Sequence, residues 1–172
     1  MTTTVLSMNS NALRILAAFL LVFVVAACGG GERGDTAGDT TTDTAGAGDE
    51  IVIQPVGNEM RYEQTAFTVE AGQEVTIVFE NSATSPAMQH NVVVLNSDDD
   101  EVVNRVGQAA LQAGEAADYI PEDEAIIAHT PLSQPGETVR VTFTAPSQPG
   151  TYRYICTFPG HFMLMQGTMT VS

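Results

Sequence analysis

The 172-residue chain contains no lysine, and its six basic residues, all arginine, face 21 aspartates and glutamates, for a formal net charge of −15 and a pI near 4.2. No part of it could lay a positive stripe along a phosphate backbone, which argues against nucleic acid as a partner. Cysteine is almost as scarce, with Cys28 and Cys156 the two present. Two thiols make neither a disulfide framework nor a four-cysteine zinc site, so each needs its own explanation. Apolar residues are not lacking. A hydrophobic fraction of 44% belongs to a chain with a packed core rather than to an acidic disordered one, and the length fits one ordinary domain with appendages.

After a polar start and Arg14, Ile15 to Ala27 is a run of thirteen apolar residues. That is short of the roughly 20 a spanning helix needs and is the length of a signal-peptide core. The run closes Val24-Val25-Ala26-Ala27-Cys28, which resembles the lipobox of bacterial lipoproteins. The resemblance implies that residues 1–27 are a lipoprotein signal peptide and that Cys28 is lipidated, which would hold the domain on the periplasmic face of a bacterial membrane. Two or three acyl chains, at about 0.8 kcal/mol per buried CH₂, make a stable anchor where one chain would not. After Cys28, residues 29–50 are Gly, Thr, Ala, Asp and Glu with a single Arg33 and no hydrophobic period. Residues 28–50 therefore read as an acidic flexible tether with a reach of about 25 Å.

Residues 51–172 alternate in short segments. Val75, Ile77 and Phe79 share one face, as do Val139, Val141 and Phe143, and again Tyr152, Tyr154 and Cys156. Further strands are expected at Ile51–Pro55, Ala66–Glu70, His90–Asn96 and Thr168–Val171, bounded by turn formers such as Ala71-Gly72, Pro135-Gly136 and Pro149-Gly150. About eight short strands point to an all-β sandwich or barrel. Glu101 to Gln112 breaks the pattern, with Val102, Val103, Val106, Ala109, Ala110 and Leu111 near helical spacing and Gly114 able to stop a helix. One short inserted helix is expected there, with Asp98 to Glu101 favouring its N-terminus.

The chemistry concentrates in Cys156-Thr157-Phe158-Pro159-Gly160-His161-Phe162-Met163-Leu164-Met165. A thiolate, an imidazole and a thioether on one loop between two strands lack only a second imidazole to make the His₂Cys-plus-axial-Met set of a blue-copper electron-transfer centre. The chain has three histidines in all. Of His90 and His129, His90 opens the apolar run to Leu95, where a rigid strand could aim it, so His90 is the expected partner.

The run from Cys156 to Val171, the His90-Asn91 pair, and the stretches Asp118-Tyr119-Ile120 and Ile126 to Leu132 resemble the azurin family of cupredoxins. Met88-Gln89-His90-Asn91 and the lipobox are more similar to the auracyanins within it. The resemblance implies a Greek-key cupredoxin sandwich over residues 51–172 holding one copper ion. His90, Cys156 and His161 would be its strong ligands and Met165 its axial one, favoured over Met163 by loop length. Gln89 stands where azurins have a glycine whose carbonyl faces the metal, which makes a weak carbonyl contact from Gln89 an open point. Asn91 and Thr157 would brace the ligands, and Phe158, Pro159, Gly160, Phe162 and Leu164 would form the apolar electron-transfer patch around His161. His129 matches a non-ligand histidine, and the disulfide of azurins cannot form here once Cys28 carries lipid.

A carrier of this kind is not an enzyme, since no open coordination position or nucleophile–base pair is visible. A cytochrome c, a membrane electron-transport complex or a photosynthetic reaction centre would suit as partner. Two other readings compete: a copper-delivery or storage lipoprotein, and a metal-free adhesive β-sandwich.

Overall fold

The computed structural model describes residues 50–172. The expected signal peptide, the expected lipidation site Cys28 and the expected tether as far as residue 49 lie outside the described residues. Strand β1 (Glu50–Ile53) takes in Glu50, one residue before the expected start of the domain. Then follow β2 (Ala66–Val69), β3 (Glu74–Glu80), β4 (Val93–Leu95), helix α1 (Asp100–Ala113), β5 (Ile126–His129), β6 (Thr138–Thr144), β7 (Gly150–Ile155) and β8 (Gln166–Val171). Among the described residues no helix is long and apolar enough to cross a membrane.

The strands form two mixed sheets, ordered β1-β3-β6 and β2-β8-β7-β4-β5. β1 runs parallel to β3 and β2 parallel to β8; the remaining pairs are antiparallel. Period-2 alternation turns one face of each sheet inward. Ile51, Ile53, Val75, Ile77 and Phe79 of the smaller sheet meet Phe67, Val69, Tyr152, Tyr154, Met169 and Val171 of the larger one in a single core. Each such side chain taken from water contributes about 1.5–3 kcal/mol.

β4 is apolar without alternation because both of its faces are covered. Val94 enters the main core, while Val93 and Leu95 meet Val103 and Val106 of α1 in a second cluster with Ile155. The helix begins as its acids suggest: Asp99 caps it by accepting the Glu101 N–H at 2.7 Å, and Asp100 and Glu101 fill the first turn. It ends at Gly114, whose φ of 74° suits a residue without Cβ.

The strand expected over His90–Asn96 is shorter than its apolar run. His90 makes only an isolated bridge, exchanging hydrogen bonds with Ser133, and the Val92 N–H goes to the Thr130 hydroxyl, so ladder pairing starts at Val93. β5 has no alternation in its sequence and was not among the expected strands; it pairs along one edge only, with β4.

Candidate metal centre

His90, just before β4, Cys156, just after β7, and His161, in the β7–β8 loop, are all buried, and their ligand atoms lie within 4.8 Å of one another. The Cys156 Sγ is 3.8 Å from His90 Nδ1 and 3.7 Å from His161 Nδ1, and the two Nδ1 atoms are 3.2 Å apart. A metal in the middle of such a triangle, bonded at about 2.1 Å to nitrogen and about 2.3 Å to sulfur, would space its ligands by about 3.5–3.8 Å. The triangle therefore has the size of a trigonal ligand plane.

Its electrostatics point the same way. Burial, and then the neighbouring His161, push the His90 pKa down to about 4, and burial lowers His161 as well. Burial drives the Cys156 thiol up to about 12, against the pull of backbone N–H groups of Asn91 and Phe158 that hydrogen-bond its sulfur. Three soft or borderline donors thus converge on one point in a buried site, an arrangement that suits a soft cation.

The loop is built to hold this shape. Pro159-Gly160 makes the corner, with φ +84° at Gly160 where a type II turn needs a left-handed residue, and the His161 N–H closes it onto the Phe158 carbonyl at 3.0 Å. The Met165 N–H then returns to the His161 carbonyl at 2.8 Å, and the Cys156 N–H donates to the Met165 carbonyl at 3.0 Å. Met165 is fully buried beside Cys156 in the main core, whereas Met163 is 58% exposed. Asn91 binds Thr157 through both ends of its amide and donates to the Asp118 carbonyl at 3.0 Å.

The chain belongs to the plastocyanin/azurin family of copper-binding proteins. The family model matches residues 50–172. Auracyanin-A of Chloroflexus aurantiacus is 44% identical over 153 residues, covering 88% of this chain and 91% of its own length. The solved structure of auracyanin A from that bacterium, described as a "blue" copper protein, superposes with a TM-score of 0.66 at 46% identity, over 72% of this chain and 98% of that one. A dithionite-reduced auracyanin from Roseiflexus castenholzii gives 0.67 at 40% identity, over 74% and 99%.

Of the other expected residues, Phe158 and Pro159 are half-buried and Gly160 is exposed. The Phe158 ring lies between those of His161, at 4.9 Å, and Tyr119, at 5.5 Å. Leu164 is 63% exposed and joins Met60 and Met88 in lining an open groove of about 420 Å³. Phe162 is half-buried, and its ring packs against the second cluster, on α1. The Gln89 side-chain oxygen is buried without a hydrogen-bond partner. His129 stays outside the triangle, exposed on β5.

Sequence reasoning missed Tyr62, fully buried, whose hydroxyl donates to the Asn91 carbonyl at 2.6 Å. It also missed Tyr119, which has a φ of 57° and closes the far side of Phe158. The signal for Tyr119 was available, since the Asp118-Tyr119-Ile120 stretch was already part of the resemblance. Tyr62 had no local pattern to reveal it.

Proposed function

We propose that this protein is a one-electron carrier in which His90, Cys156 and His161 hold copper strongly and Met165 holds it axially. The observation that carries the reading is the buried triangle of two imidazoles and one cysteine sulfur, with a buried thioether adjoining in the same loop. Copper so bound supplies a Cu(I)/Cu(II) couple. The protein's part is to keep the four donors still: packed strands and a hydrogen-bonded loop limit the rearrangement that accompanies each electron, which makes transfer fast. With every donor engaged there is no vacant position for substrate, and the chain is read as a carrier rather than an enzyme.

Electrons would pass at the edge of His161, which is 4% exposed. Leu164, Met163 and the groove lined by Met60 and Met88 offer an apolar surface for a partner to press against. With 15 acids against four arginines, residues 51–172 would attract a basic docking site, and the association rate would fall as salt rises. A cytochrome c or a membrane electron-transport complex fits that description. Lipidation at Cys28 and export to the periplasmic face would place the carrier beside such a partner. The burial of all three strong donors weighs against a copper-delivery role, which asks for metal that leaves easily.

The test is the visible spectrum of residues 50–172 loaded with Cu(II), beside a Cys156→Ser control. An intense thiolate-to-copper band that disappears in the control and bleaches on reduction is expected. A colourless protein, or one that takes up Cu(I) alone and releases it readily, would put copper delivery first.

A further inference from the structure

We infer that Gly107 is a positioning residue of the metal centre: by leaving its place on α1 empty, it seats the Phe162 ring and so fixes the loop that carries His161 and Met165. A Cβ built on Gly107 would fall within 3.0 Å of Cγ, Cδ1 and Cδ2 of Phe162, so no other residue fits there while the ring stays where it is. Gly107 is buried on the face of α1 that also presents Val103, Val106 and Ala110. Phe162 follows His161 directly, and its ring joins the cluster of Val93, Leu95, Val103 and Val106.

A second strut meets the same loop. Gln166 donates to the carbonyls of Phe162, at 2.7 Å, and Met163, at 3.3 Å, and its own carbonyl is held by Arg153, which reaches on to the Asp98 carbonyl and the Asp100 carboxylate just at the start of α1. The helix is therefore tied to the segment between the two ligands at its N-terminal end and at its middle. A glycine inside a helix is otherwise unfavourable, since alanine is the better helix former. The close approach of the ring explains why glycine stands here.

The inference rests on His161 and Met165 being ligands, so the experiment reads the loop with and without metal. Gly107→Ala, Phe162→Ala and the double variant are compared with the parent. Amide hydrogen exchange of Leu164 and Met165 is followed in the copper-free protein, and the reduction potential and visible spectrum in the copper-loaded one. Gly107→Ala is expected to speed exchange at both amides at least tenfold and to shift potential and spectrum; in the Phe162→Ala background the same change should do neither. A role in the helix alone would leave exchange and potential at parent values, and that result overturns the inference, as does an equal effect with and without the ring. Should Gly107→Ala fail to fold, Phe162→Leu withdraws the ring while leaving the helix intact: faster exchange supports the brace and unchanged exchange refutes it. If the parent itself shows no thiolate-to-copper band, the ligand assignment fails, while the exchange data still decide whether Gly107 holds the loop.

Discussion

Asn91 and Thr157, 66 positions apart, are joined by three hydrogen bonds: the Asn91 Oδ1 accepts the Thr157 backbone N–H at 2.8 Å and its hydroxyl at 3.2 Å, and the Asn91 Nδ2 donates to that hydroxyl at 2.9 Å. Asn91 follows His90 and Thr157 follows Cys156, so the pair fixes the spacing of two proposed ligands that lie on different elements. Replacing Asn91 with Ala leaves the buried Thr157 N–H without its partner. It is expected to cost about 2–4 kcal/mol of stability, read by urea unfolding of the copper-free domain. The copper spectrum should change with it, and a variant of unaltered stability and colour would show that the pair is ornamental.

At neutral pH the buried Cys156 is a thiol, with a pKa near 12, while His90, near 4, is already neutral. Copper bound by the thiolate must therefore displace one proton. Loading near pH 7 in weak buffer is expected to release one proton per copper, and the apparent affinity should rise about tenfold per pH unit. A titration that releases none would mean that sulfur is not bound as thiolate.

The same shifts set the pH range of the copper-free fold. His90 has its folded pKa lowered from 6.5 to about 4, so below about pH 6.5 the unfolded chain takes up a proton that the folded chain refuses, and stability falls as pH drops toward 4. Cys156 has its folded pKa raised from 9 to about 12, so above pH 9 the unfolded thiol ionises first and stability falls again. Urea midpoints of the copper-free protein should peak between about pH 6.5 and 9; a flat profile from pH 5 to 10 would contradict the burial of both groups.

Gly167 on β8 is as crowded as Gly107, for a Cβ there would fall within 3.0 Å of the Tyr154 ring and hydroxyl. Tyr154 is fully buried and donates to the Gln64 carbonyl. Gly167→Ala is expected to destabilise the domain by about 1–3 kcal/mol through overpacking. Thermal unfolding measures it, and a melting temperature at or above the parent's would refute the crowding.

Much of the proposed site was legible because three of its four proposed donors sit within one short loop, where spacing alone exposes them, and few histidines remained to supply the fourth. The helix was legible from Val103, Val106 and Ala110, though Leu111, counted on the same apolar face, is 48% exposed. What stayed hidden depends on distant partners. Gly107 means nothing until Phe162 arrives from the other end of the domain, and β5 is a strand only because β4 lends it an edge. The packing of Phe162 was hidden for the same reason: its half-buried ring rests on the apolar wall of α1, which the loop's own sequence does not announce.

β8 follows both β2 and β7 in the chain yet lies between them in the sheet. A polypeptide delivered from its N-terminus has no way to close this sheet early, since β2 and β7 share no ladder until the last strand slides in. Cys156 and Met165 flank the entry to that strand, so the pocket gains its final shape late. Copper captured during delivery would meet a half-built cage, and the natural order is to finish the fold first and take up metal afterwards.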